Sequence, residues 1–143
     1  MHFCLLDRII ERSDDRIVTI KQVTASEEYL QDHFPAFPVL PGVFMVESLV
    51  QAGRALLAQR PESAAQRMVL GGVRAVKYGS FVRPGETLRV EVTLAKANPD
   101  GTFEFKGEGT VVRPTTASGG SGGGEDPQVA VSGRFTMRPI RLE

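Results

Sequence analysis

The sequence predicts an α+β fold in which one long helix lies against a twisted antiparallel sheet, and three observations carry that expectation. Only the stretch VFMVESLVQAGRALLAQ, residues 43–59, combines helix-forming composition with a helix entrance at Pro41-Gly42 and a stop at Pro61. Most of the remaining apolar residues recur with the period of two that marks strands, most clearly Val90, Val92 and Leu94, then Val129, Val131, Phe135 and Met137. Between these runs stand Arg83-Pro84-Gly85-Glu86 and Asn98-Pro99-Asp100-Gly101, which suit tight reversals.

Taken in order, FCLLDRII and RIVTIKQVT read as two strands of a hairpin joined by the turn formers ERSDD, with Cys4 as an apolar strand residue. In ASEEYLQDHF, Ser26 followed by two acids reads as an N-cap with a dipole-matched first turn, and the prolines beyond restrict that helix to a short one. The long helix follows. Its residues Val43, Phe44, Met45, Val46, Leu49 and Val50 surround the first two turns, so that end should be enclosed on most sides. Four β-rich segments complete the chain: RMVLGGVRAVKYGSFV, ETLRVEVTLAKA, GTFEFKGEGTVV and QVAVSGRFTMRPI. Residues 113–127, RPTTASGGSGGGEDP, have only Ala117 to anchor them and read as a flexible Gly/Ser-rich loop between the last two strands. They lack the strand, helix and Lys-Ser/Thr pair of a phosphate-binding loop.

A length of 143 residues suits a single domain spanning 1–143. Lys and Arg total 17 and Asp and Glu total 17, so no basic excess points to nucleic acid or a membrane surface. One cysteine allows no intramolecular disulfide, Asp7 and Arg8 interrupt the N-terminal apolar run, and no apolar stretch approaches the roughly 20 residues that cross a bilayer. A soluble, cytoplasmic protein without membrane insertion is the expectation.

Chemistry concentrates in DHFPAFPVLPGVFMVESLVQAG, residues 32–53. His33 precedes Pro35, Pro38 and Pro41, each of which fixes a torsion, so the histidine stands on a backbone with little freedom to lose. Gly42 admits close approach at a helix entrance, where free N–H groups and the dipole favour a partly negative oxygen such as a thioester carbonyl. Alternatively Pro41-Gly42 merely starts the helix. Glu47 interrupts an apolar run, and a buried carboxyl without a cation stays protonated, as a general acid must. Gln51 lies four residues on, where its amide can orient that carboxyl, and Arg54 continues the stripe. The competing reading makes Glu47, Gln51 and Arg54 a solvated face closed by a salt bridge. With one cysteine and two histidines, no metal-ligand pattern, nucleophile elbow or dinucleotide fingerprint is present.

HFPAFPVLPGVFMVESLVQAG resembles the active-site signature of the 3-hydroxyacyl-[acyl carrier protein] dehydratases of type II fatty acid synthesis, H-F-P-x-x-P-x-x-P-G-V followed by E and then Q four residues later. LLDRIIERSDDRIVTIKQVTASEEYLQDHFP is similar to the family's N-terminal strands, and AVKYGSFVRPGETL to its K-F-x-x-x-V-x-P-G-D-x-L strand and turn. The resemblance implies the hotdog fold, a helix wrapped by an antiparallel sheet. It implies a homodimer with each site at the subunit interface, the histidine from one chain and the acid from the other, and trimers of such dimers remain open. It further implies that His33 abstracts the α-proton of a 3-hydroxyacyl thioester held on acyl carrier protein or coenzyme A. Glu47 would protonate the departing hydroxyl, the Gly42 N–H polarise the carbonyl, and Gln51 hold Glu47; no cofactor enters. Val43 and Phe37 would lie with Gly42 at the substrate. Glutamate at position 47 favours the plain dehydratase branch over the dehydratase/isomerase branch, which carries aspartate. Ala36-Phe37 and Tyr78-Gly79-Ser80-Phe81 depart from the usual pattern, the latter standing where Phe-Arg-Arg-Pro is common. A non-catalytic acyl-thioester binding protein and a hotdog thioesterase are the rival readings.

Overall fold

In a computed structural model, the described residues are 3–31, 33, 34, 36–61, 63, 66–114 and 128–140. His2, Pro35 and most of the Gly/Ser-rich segment, 115–127, lie outside them. The elements in chain order are β1 (Arg8–Arg12), β2 (Arg16–Gln22), a 3-10 turn (Glu28–Leu30), α1 (Gly42–Leu57), β3 (Met68–Tyr78), β4 (Thr87–Ala97), β5 (Phe103–Val112) and β6 (Gln128–Pro139). All six strands join one antiparallel sheet in the order β1-β2-β4-β5-β6-β3.

Alternation along the strands aims one side of the sheet at the helix. Leu88, Val90 and Val92 of β4, Phe103 and Phe105 of β5, and Phe135 and Met137 of β6 are buried with Met45, Leu49, Ala52 and Leu56 of α1. Each of these side chains larger than Ala52 contributes roughly 1.5–3 kcal/mol on leaving water. The helix comes close because β5 offers no side chain where it passes: a Cβ on Gly107 would lie 3.2 Å from both Leu49 methyl carbons. Phe105 and Phe135 stack beside this crossing with centroids 5.0 Å apart.

Several expectations are corrected. The N-terminal strand begins at Arg8, not Phe3, and Glu11 and Arg12 belong to it, leaving Ser13–Asp15 as the turn. Cys4 is therefore no strand residue; it is exposed, and its thiol donates to the Leu6 carbonyl. Backbone groups of Phe3 and Leu5 are taken by the side chain of Gln51, which explains why pairing starts later. Ser26 caps no helix. Its hydroxyl meets that of Thr24, the residue preceding the 3-10 turn is Glu27, and the Glu27 carboxylate is engaged by Thr24 N–H and Lys21. The start of α1, by contrast, is enclosed on most sides as expected: Met45, Leu49 and Val50 are buried and Phe44 and Val46 half-buried, while Val43 is 68% exposed.

Candidate functional site

The turn carrying His33 is closed by its own backbone and anchored at its far end. Phe37 N–H donates to the Phe34 carbonyl at 2.8 Å, and Leu40 N–H donates to the Val82 carbonyl at 2.8 Å, with Val39 and Leu40 buried between. Phe34 has φ +54°, a conformation that costs a bulky L-residue free energy and persists where surrounding contacts enforce it. The imidazole packs on the Phe34 ring with centroids 4.5 Å apart, and its Nδ1 meets the Val39 carbonyl at 3.0 Å. A carbonyl only accepts, so Nδ1 carries the hydrogen and the neutral ring has its lone pair on Nε2. That is the tautomer of a base.

His33 lines a cavity of about 190 Å³ together with Val39, Leu40, Gly42, Met45 and Tyr78. Gly42 is the first residue of α1, and its N–H and that of Val43 belong to the first turn, where the helix itself supplies no acceptor. A Cβ on Gly42 would lie 2.9 Å from Tyr78 Cε1, so a glycine is what lets ring and helix start face one another across the cavity. Base and helix entrance thus share one concavity. Val43 does not line it.

A second, larger cavity of about 450 Å³ adjoins the first and is formed by Phe34, Ala36, Phe37, Val39 and Phe81. Phe37 and Phe81 meet edge to face at 5.8 Å, and the Arg83 guanidinium lies 4.6 Å over the Phe37 ring. An apolar chain suits such a lining, with one cation beside it.

Glu47 and Gln51 are half-buried on α1 and lie elsewhere: neither lines either cavity. Gln51 Nε2 donates to Glu47 Oε1 at 3.2 Å, the pairing expected from their spacing. The same Nε2 donates to the Phe3 carbonyl at 2.8 Å, while Leu5 N–H donates to Gln51 Oε1 at 2.8 Å. Arg54 is exposed, and among the described residues no salt bridge joins it to Glu47, so the solvated ion-paired face is not what forms. Within one chain the structure brings His33 to Gly42 and Glu47 to Gln51, each pair in its own place.

Two contributions were beyond sequence reasoning. Tyr78 enters the His33 cavity from the end of β3, and its only signal was its place in a motif segment that departs from the usual pattern. The Phe3 and Leu5 main chain meets Gln51 across separations of 48 and 46 residues, which no periodicity reveals.

Comparison with known proteins follows the same lines. Residues 9–118 match the model of the ApeI-like family, described as ApeI dehydratase. The chain is 39% identical over 116 residues to the 3-hydroxyacyl-[acyl-carrier-protein] dehydratase FabZ of Lactococcus lactis subsp. cremoris, covering 73% of this chain and 81% of that one. It is 46% identical over 93 residues to the protein of the same name from Oenococcus oeni, covering 64% and 67%. Among solved structures, the dehydratase heterocomplex ApeI:P from Xenorhabdus doucetiae superposes with a TM-score of 0.70 at 21% identity over 96% of this chain and 84% of that one. A hypothetical thioesterase with coenzyme A from Streptococcus pneumoniae gives 0.64 at 12% identity over 93% and 84%. At these identities both likenesses show a shared fold.

Proposed function

The chain belongs to the ApeI-like dehydratase family and is a hydro-lyase of the hotdog fold, and from that membership we propose that it converts 3-hydroxyacyl thioesters of acyl carrier protein to trans-2-enoyl thioesters. The observation that supports this most directly is the His33 tautomer. With Nδ1–H held by the Val39 carbonyl, Nε2 is the free base in a cavity that also contains the start of α1.

In this reading the thioester carbonyl oxygen accepts from the Gly42 N–H, with Val43 beside it, where the helix entrance stabilises the charge that develops as the C2–H bond weakens. His33 Nε2 takes the C2 proton, the released pair forms the C2=C3 double bond, and the C3–O bond breaks. Glu47, held by Gln51, gives its proton to the departing hydroxyl, which leaves as water. No oxidant or cofactor is required by this balance. The acyl chain would occupy the cavity of Phe34, Phe37 and Phe81.

Glu47 reaches such a substrate from a second subunit. The separate placement of the two pairs supports this, as does β3, which ends the sheet with eleven residues and exposes Leu70, Val73 and Tyr78 along an unpaired edge. An edge of that length and polarity invites pairing. A homodimer joined there would cover exposed Val43 as well, and it would act in the cytoplasm. Among the described residues no helix is long and apolar enough to cross a membrane.

The test is hydration of trans-2-enoyl thioesters of graded length, on carrier protein and on coenzyme A, with a thiol-reactive dye present. Reversible hydration with no thiol release is expected, and His33→Ala or Glu47→Gln should each lower kcat by ~100-fold or more. Release of thiol, or full turnover in either variant, contradicts the reading.

A further inference from the structure

The chain before β1 runs along the Glu47 face of α1 and grips it through one side chain. Gln51 Oε1 accepts from Leu5 N–H at 2.8 Å, and Gln51 Nε2 donates to the Phe3 carbonyl at 2.8 Å. A main-chain N–H only donates and a main-chain carbonyl only accepts, so this pair admits one orientation of the amide and excludes the flipped one. Both amide hydrogens are then assigned: one to Phe3, the other to Glu47 Oε1 at 3.2 Å.

We propose that the segment Phe3–Leu5 is a positioning strap for the catalytic acid, acting through Gln51 to set which carboxyl oxygen of Glu47 carries the transferable proton. This rests on the reading of Glu47 as the acid. An oxygen that accepts from the Gln51 amide is carbonyl-like in the protonated carboxyl, so the acidic hydrogen resides on Oε2. A flipped amide would present its oxygen to Glu47 instead and draw that hydrogen onto itself, out of line with the substrate hydroxyl. The strap is fixed independently of Gln51. The Phe3 ring lies 5.0 Å from that of Phe44 and 5.5 Å from that of Tyr29, which in turn lies 4.7 Å from Phe44, and Leu5 is buried. One segment distant from α1 in sequence thus holds the Gln51 amide, and that amide holds one carboxyl.

The decisive change is incorporation of leucic acid in place of Leu5, which turns its N–H into an ester oxygen and leaves the buried side chain intact. In full-length protein acting on an enoyl thioester, we expect kcat to fall ~10- to 100-fold with KM within about twofold, while Tm moves by only a few degrees. Gln51→Ala should cost as much, and combining it with the ester should cost no more than either alone. Wild-type kcat in the ester protein, a loss confined to KM, or losses that multiply in the combination would overturn the proposal. Glu47→Gln separates the two levels: if it turns over normally, the acid assignment fails and takes the strap with it. If it is inactive while the ester protein is unimpaired, only the strap role fails.

Discussion

Tyr78 and Gly42 face each other so closely that a Cβ on the glycine would lie 2.9 Å from Tyr78 Cε1 and 3.0 Å from Cζ. Tyr78 is 55% exposed, so its ring can yield, but it would yield into the cavity that holds His33 or away from it. Gly42→Ala should therefore leave Tm within a few degrees and lower kcat/KM by ~10- to 100-fold, because a displacement of about 1 Å at a reacting group is costly. Steady-state kinetics beside a thermal melt decide it; equal activity would remove Gly42 from the site.

Phe37 tests the acyl cavity separately from the chemistry. Its ring is held between Phe81 and the Arg83 guanidinium, so it presents a fixed apolar wall. Phe37→Ala should raise KM several-fold for longer acyl thioesters and leave kcat nearly unchanged, since what is lost is binding common to ground and transition states. A chain-length series checks this, and an effect independent of length would count against the assignment.

How far the sequence reached is plain from these residues. The helix between Pro41-Gly42 and Pro61, the alternating strands, and the Pro84-Gly85 turn, where Gly85 adopts φ +90°, were all legible because each follows from local chemistry. The pairing of Gln51 with Glu47 was legible for the same reason, being four residues apart on one helix. Ser26 and Cys4 misled because capping and strand signals are weak where longer-range partners compete. Glu27 spends its carboxylate on Thr24 and Lys21, and Gln51 takes the backbone that would have extended β1. Nor could periodicity say that Glu47 does not line the cavity that His33 lines within one chain.

Stability should depend on acid in a specific way. Glu91 on β4 accepts from Arg16 of β2 at 2.9 Å, and that hydrogen bond holds its carboxyl below the ordinary carboxylate range, against an opposing effect of burial. A group depressed in the folded state adds stability above its unfolded value and loses that contribution as pH falls through its folded value. Glu91→Gln should therefore lower Tm slightly near neutrality, since the pair is partly exposed. The difference should start to shrink as pH falls to the ordinary carboxylate value of about 4.3 and vanish only at lower pH, once Glu91 is protonated in the folded chain as well. Thermal melts across pH check this; a difference that grows in acid would contradict the sign.

The proposed assembly of each site from two chains has one most direct test. His33→Ala and Glu47→Gln proteins with different affinity tags are coexpressed, and the pairs carrying both tags are purified. A mixed dimer of two silent chains retains one site with both His33 and Glu47 intact, so it should hydrate enoyl thioesters at about half the wild-type rate. Mixed pairs as inactive as either parent would contradict it.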